Sequence, residues 1–201
     1  MPYTTEHKQK TRDRIVECAR ELFNRKGFVS VSIDEIMGHA GLTRGGFYNH
    51  FKTKEDLFAE AVIAFQNFNP ADRWEGLDFD PTRCGKAHAK QMIQAYLSRS
   101  HLDDIDGHCP MIALPSDAAR ASPRVKQAYF DLLVRMAGIF ADGLPPLDNP
   151  DDMPKEKAHQ RGLALTALCV GGMVLARTFD DAAFRNEIRE ATQALALELI
   201  G

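Results

Sequence analysis

The sequence predicts an all-α protein of about nine helices. Apolar residues recur at helical spacing, i, i+3, i+4 and i+7, along most of the 201 residues, and no strand alternation of comparable strength appears. Hydrophobic residues make up 44% of the chain and charged residues 26%, which is ordinary globular usage. We expect two helical domains, an amino-terminal one over residues 1–53 and a larger one over residues 54–201.

The first two helices are predicted from their apolar faces and their ends. The first covers residues 8–26 and ends at Gly27, a plausible C-cap. Ser32 and Glu35 form an S-x-x-E capping box, which predicts a second, short helix to about His39. The apolar face of the first helix consists of Ile15, Cys18, Ala19, Leu22 and Phe23.

Two more helices follow a tight turn at Gly41. Thr43 can cap a third helix that runs to about Phe51, and Thr53, with Asp56 three residues later, can cap a fourth. Four helices are therefore expected in the first 65 or so residues, three of them in the amino-terminal domain.

The rest of the chain alternates helical periodicity with breaks. Gly143 to Pro154 contains four prolines and is the best linker candidate. Helices are predicted over about 89–97, 111–120, 125–140, 155–178 and 182–199.

The second and third helices have the parts of a helix-turn-helix, in which the second helix of the pair enters the major groove of DNA. Residues 1–54 hold ten Lys and Arg against six Asp and Glu, a local charge of +4, whereas the remainder holds 15 against 22, a local charge of −7. The basic end is therefore the candidate DNA face. The predicted DNA-binding residues are Ser32, Thr43, Arg44, Gly45, Tyr48, Asn49, His50, Lys52 and Lys54.

The stretch from Thr11 to Leu57 resembles the TetR family of bacterial repressors, above all in Leu42-Thr-Arg-Gly-Gly-Phe-Tyr-Asn-His-Phe-Lys-Thr-Lys-Glu-Asp-Leu57. The similarity covers about a quarter of the chain. It implies a dimeric repressor that binds a double-stranded DNA operator and is released by a small-molecule effector.

The resemblance also implies roles for single residues. Thr43 and Tyr48 match positions that contact phosphate, and His50 matches one near the DNA backbone. Lys54 matches a position that neutralises phosphate at the start of the fourth helix. Arg44 is the candidate base reader, because a guanidinium can bond guanine O6 and N7 together.

The last two helices carry apolar residues on more than one side, which predicts that a second subunit covers one of them. Family members dimerise through a four-helix bundle of these helices. A close backbone from the partner would also explain the adjacent glycines in the middle of the penultimate helix. The predicted interface is Leu168, Gly171, Gly172, Leu175, Phe184, Ile188 and Leu195.

Aromatic and methionine residues in the larger domain predict a pocket for an apolar effector, with the fourth helix as the lever that moves the DNA-binding end. The candidate lining residues are Phe65, Trp74, Met92, Tyr96, Cys109, Tyr129, Leu133 and Met136.

Three other functions are weighed against this one. Cys109 beside His108 could sense oxidants or electrophiles in a thiol-based repressor. Cys109 with His88, His101 or His108 could also serve an enzyme, although no nucleotide loop or hydrolase motif is present. An architectural or activator protein would keep the DNA-binding module without an effector.

The composition predicts neither cofactor nor metal, because the four cysteines are isolated and form no C-x-x-C pair. No run of about 18 apolar residues and no signal-peptide core is present. We therefore expect a cytoplasmic protein with no membrane partner.

Overall fold

A computed structural model describes residues 5–74, 76–145 and 155–201, and these residues form helices without strands. The all-α prediction is confirmed. The helices are α1 Thr5–Lys26, α2 Ile33–His39, α3 Arg44–Phe47, α4 Lys54–Ala64, α5 Pro70–Arg73, α6 Gly85–Tyr96, α7 Arg99–Asp103, α8 Pro110–Ala113, α9 Pro115–Arg120, α10 Pro123–Gly143, α11 Lys155–Thr178 and α12 Ala182–Ile200.

The helical segments outnumber the predicted nine because prolines divide the middle of the chain. Pro70, Pro110, Pro115 and Pro123 each begin a helix. Proline suits the first position of a helix, since its missing N–H would have no partner there. Most of the predicted linker, residues 146–154, lies outside the described residues.

The ends of the first helices follow their capping residues. Gly27 takes a positive φ of 77° just after α1, as a C-cap glycine does. Thr53 and Asp56 form a complete capping box at the start of α4, which confirms that prediction. Thr43 occupies the N-cap position of α3, but its side chain makes no capping hydrogen bond. The helix itself ends at Phe47, earlier than predicted, in a segment where two glycines lower helix propensity.

The chain divides into two compact units. The first consists of Met1–Phe68 and Ile105–Phe130, and the second of Asn69–Asp104 and Asp131–Gly201. The predicted boundary at 53/54 does not coincide with this division, because α4 packs on α1. The core of the first unit includes the fully buried side chains of Ile15, Phe23, Ile36, Phe47, Leu57 and Phe58.

Residues 105–130 are joined to α1 by buried polar side chains. Arg20 donates to the carbonyl of Asp106 at 2.7 Å, and Asn24 donates to the carbonyls of Asp106 and His108, each at 2.9 Å. Arg20 and Asn24 are both less than 5% exposed. Hydrogen bonds of this kind satisfy groups that would be costly to bury alone.

In the second unit, α12 packs on both α11 and α6. Gly172 lies where α11 meets α12, and a Cβ there would approach the Thr192 Cβ to 2.8 Å. The close packing that Gly172 permits is therefore within one chain, which corrects our expectation that a partner backbone explains this glycine. A Cβ at Gly171 would meet nothing within 4 Å.

One described helix is long and apolar enough to cross a membrane, Glu156–Thr178 within α11. A core helix passes the same test, and α11 packs along α12. A single helix of this kind is weak support for a membrane span.

Candidate nucleic-acid interface

The segment from α2 to the turn after α3 separates apolar from polar side chains. Ser32 caps α2, with its Oγ accepting from the Glu35 backbone N–H at 3.1 Å. Phe47 is fully buried, and its ring lies 5.7 Å from that of Phe51. Tyr48, the next residue, is 58% exposed. The third helix is thus held by aromatic packing while the other side of the segment faces solvent.

Most of the predicted DNA-binding side chains are exposed together on this segment. Their backbone positions are fixed by the buried aromatic residues described above. The exposed ones are Ser32, Thr43, Arg44, Gly45, Tyr48, Asn49 and Lys52, while His50 and Lys54 are partly buried.

Arg44 is not isolated on this surface. Its Nη1 donates to Asp34 Oδ2 at 2.6 Å, which joins the start of α3 to the start of α2. Both side chains are more than half exposed. An exposed pair of this kind contributes about 0 to 1 kcal/mol, so DNA can displace it at low cost.

Lys54 is held inside the protein rather than extended into solvent. Its Nζ donates to the carbonyls of Phe28 and Val31 at 2.8 and 2.7 Å and lies 4.2 Å from the centre of the Phe28 ring. Burial lowers the pKa of its ammonium group. A lysine has three N–H donors, so one remains for a phosphate. Lys54 therefore also fixes the connection between α1 and α2.

Arg12 is a residue that the sequence did not single out. Its guanidinium donates to the His50 carbonyl and lies 4.0 Å from the centre of the Phe51 ring. It also pairs with Glu60 of α4 at 3.1 Å. Burial, followed by the positive charges of Lys8 and Arg12, lowers the pKa of the His50 imidazole. An arginine on α1 thus braces the end of the recognition segment.

A second ion-pair group ties α10 to the start of α4. Arg124 bonds Asp56, the capping-box residue of α4, and pairs with Glu60 at 3.1 Å. Only the spacing of these charges in three dimensions brings them together, since Arg124 lies 68 residues from Asp56. The position of α10 is therefore linked to the helix predicted to act as the lever.

The predicted effector residues are divided between the two units. Phe65, Cys109 and Tyr129 belong to the first, and Trp74, Met92, Tyr96, Leu133 and Met136 belong to the second. Whether they line one pocket stays a prediction.

Part of the second group forms an aromatic cluster around a histidine that we did not assign to the pocket. The ring of His101 lies 4.4 Å from that of Trp74 and 5.1 Å from that of Tyr96. Its Nδ1 lies 2.7 Å from the Tyr96 carbonyl, and the Trp74 indole donates to Asp104 at 2.9 Å. Trp74, Tyr96 and His101 are buried.

Cys109 has no exposed surface. Reactive cysteines are partly exposed, so burial weighs against a sensor role, which nonetheless stays a prediction. His88 and His101 belong to the second unit, whereas Cys109 belongs to the first.

Known proteins share this arrangement. The family model of bacterial regulatory proteins of the tetR family matches residues 15–61. The chain belongs to the TetR family. Members of this family are DNA-binding transcriptional regulators, and the similar curated proteins are named as regulators rather than enzymes.

Two curated TetR-family relatives match mainly through the amino-terminal half. The regulator AcrR of Shigella flexneri is 47% identical over 57 residues, which are 28% of this chain and 26% of AcrR. The uncharacterised regulator YerO of Bacillus subtilis is 42% identical over 136 residues, which are 66% of this chain and 45% of YerO. The chain therefore aligns with less than half the length of either relative.

A solved structure resembles the whole fold. The reduced form of NemR from E. coli superposes with a TM-score of 0.73 over 96% of this chain and 97% of NemR, at 15% identity. At that identity the likeness shows a shared TetR fold.

Proposed function

We propose that the protein is a cytoplasmic homodimeric repressor that binds a palindromic double-stranded DNA operator and leaves it when a small molecule binds. One observation carries the proposal: the segment around α3 buries Phe47 and exposes Arg44, Tyr48 and Asn49 together. A short helix of this kind fits the major groove, where base edges can be read. The local charge of +4 on residues 1–54 supports the same partner.

Within this proposal the side chains divide the work. Arg44 reads base edges, with Asp34 orienting its guanidinium until DNA is bound. Thr43 and Tyr48 hold phosphates, and the remaining N–H of Lys54 can add a third phosphate contact. Gly45 leaves room for a base or phosphate to approach α3 closely, since its Cβ position is open.

The dimer is supported by an apolar face on α11 and α12. Five large apolar side chains there are more than 40% exposed, and the rings of Phe179 and Phe184 pack 5.0 Å apart. Such a face favours burial against a second copy. The five residues are Leu175, Phe179, Phe184, Leu195 and Leu199. Gly171, Leu168 and Ile188, all partly exposed, extend it.

A dimer also explains release. Two recognition helices must lie about 34 to 36 Å apart to enter successive major grooves of one operator. An effector that changes this spacing ends simultaneous docking without touching either DNA-binding surface. The aromatic cluster of Trp74, Tyr96 and His101 offers ring faces to an apolar effector.

The DNA-binding part is tested by selecting duplexes from a random library with the full chain, then measuring affinity by fluorescence anisotropy. We expect a palindrome whose half-sites lie one helical turn apart. Arg44→Ala should lower the preference for that palindrome over scrambled DNA by about 5- to 100-fold, because one bidentate base contact contributes about 1 to 3 kcal/mol. Lys157→Ala, an exposed lysine on α11, is the matched control. Selection of no sequence would reject the proposal.

The dimer and effector parts need separate measurements. Native mass spectrometry of the full chain should show a dimer and any ligand purified with it. Leu175→Glu and Leu195→Glu should yield monomers that bind a half-site only weakly. Small molecules that raise the melting temperature should also weaken operator binding. An architectural protein would bind the same DNA but show no such release.

A further inference from the structure

A groove of about 890 Å³ lies in the first unit between the start of α1 and the segment that holds α3. One wall is formed by residues 7, 8, 10, 11 and 14, which share one side of α1 by helical spacing. The opposite wall includes Thr43, Asn49 and His50, three of the predicted DNA-binding residues. The groove is therefore continuous with the recognition surface.

The groove is cationic. Its lining contains Lys8, Lys10 and Arg14 together with two histidines, and none of the described residues that line it is acidic. Lys10 pairs with Glu6 at 2.8 Å, but both side chains are about three-quarters exposed, so that pair is weak. Lys8 and Arg14 are exposed and have no ion pair with a described residue. Two full positive charges are thus available to a ligand.

His50 reports the electrostatic character of the same place. Its Nδ1 is buried and has no hydrogen-bond partner among the described residues. Burial and the charges of Lys8 and Arg12 lower the pKa of its imidazole, so that the ring is predominantly neutral at pH 7. A site that disfavours one more positive charge favours an anion.

We infer that this groove binds phosphates of the operator backbone beyond the base pairs that α3 reads. The inference rests on the proposed function. From Lys8 to Arg14 α1 rises about 9 Å. One strand of DNA carries a phosphate every 3.4 Å or so of helix axis, so the two cations span two or three consecutive phosphates. The shared wall of Thr43 and Asn49 makes the groove a continuation of the same strand's path.

The double variant Lys8→Gln/Arg14→Gln tests the inference on the full chain with the selected operator. Affinity for DNA falls with salt by a power of about 0.9 per phosphate contact. Loss of two contacts should therefore make the decrease between 50 and 200 mM salt about tenfold smaller than in the natural chain. Lys126→Gln/Lys157→Gln removes the same charge from exposed lysines of α10 and α11 and should leave the decrease unchanged.

The length of the duplex distinguishes the outcomes. On DNA shortened to the base pairs that α3 reads, natural and variant chains should show the same salt dependence. An unchanged salt dependence on long DNA would overturn the inference while leaving the proposed function intact. Binding of tripolyphosphate that depends on Lys8 and Arg14, with unchanged DNA binding, would assign the groove to a free anion and overturn it too. Failure of the natural chain to select any duplex would instead reject the proposed function.

Discussion

Arg44 donates to Asp34 across the turn between α2 and α3, at 2.6 Å between Nη1 and Oδ2. The side chain best suited to read a base is therefore paired with a carboxylate while no DNA is bound. That carboxylate orients the guanidinium and repels phosphates at the same time.

Asp34→Asn should raise affinity for scrambled DNA more than affinity for the operator, because it removes a negative charge from the DNA-binding face and frees Arg44. We expect the ratio of the two affinities to fall about two- to fivefold, the effect of an exposed pair worth less than about 1 kcal/mol. Anisotropy titrations with both duplexes measure it. Asp72→Asn, an exposed carboxylate of α5, serves as the control. An unchanged ratio would show that Asp34 has no part in selectivity.

Lys54→Ala should weaken binding to all sequences alike and also destabilise the protein. The ammonium group donates to the carbonyls of Phe28 and Val31, and its loss leaves both without that donor. We expect a decrease of about 1 to 3 kcal/mol in the free energy of unfolding. Urea denaturation measures it, with the exposed Lys52→Ala as the control. Equal stability of the two variants would contradict the structural role of Lys54.

Acid should weaken the contact between α4 and α10. Hydrogen bonding to Thr53 and the charge of Arg124 lower the pKa of Asp56 below its ordinary value of 3.8. A lowered pKa stabilises the fold above that value, and this stabilisation is lost as the pH falls through the folded-state pKa. Asp56→Asn should therefore be less stable than the natural chain at pH 6, by less than about 1 kcal/mol at this exposed site. The gap should close between pH 4 and 2 in urea denaturation, and a gap that stays constant would refute this linkage.

Gly172→Ala should destabilise the protein by about 1 to 3 kcal/mol, because the added Cβ would overlap the Thr192 side chain. Gly171→Ala meets no described atom within 4 Å and provides the matched control. Thermal melting should show a lower melting temperature for the first variant alone, and Thr192→Ala should restore part of the loss. Equal melting temperatures would mean that α11 and α12 separate without cost at this point.

The four thiols should react in the order of their exposure. Cys84 is exposed, Cys18 is half-buried, and Cys109 and Cys169 are buried. Burial also raises the pKa of the Cys169 thiol to about 12. Iodoacetamide at pH 8 should modify Cys84 quickly, Cys18 slowly and the other two only after unfolding, as read by peptide mass mapping. Rapid modification of native Cys109 by peroxide, with loss of DNA binding that Cys109→Ser prevents, would instead support the thiol sensor.

The sequence was most informative where local chemistry decides the structure. The box of Thr53 and Asp56, the C-cap at Gly27 and the apolar faces of α1 and α2 depend on residues within a few positions of one another. The helix-turn-helix could therefore be placed, with most of its predicted contact residues exposed on one segment.

Long-range contacts could not be read in the same way. Arg12, Arg124 and the carbonyls of Asp106 and His108 have partners 38 to 86 residues away, and no short-range pattern marks such pairs. The exposed face of Lys54 in a helical projection likewise gave no sign that two carbonyls would hold its ammonium group. Gly172 was assigned to a partner because its neighbour Thr192 belongs to another helix.

The buried donors Arg20 and Asn24 set a limit on how this regulator can be taken apart or recombined. A fragment cut after residue 53 would keep both donors and lose the carbonyls of Asp106 and His108 that they bond. The same mismatch would arise in a chimera that joins this amino-terminal segment to the body of another repressor. An exchangeable cassette must therefore carry residues 105–130 with the head, or replace Arg20 and Asn24 with apolar residues.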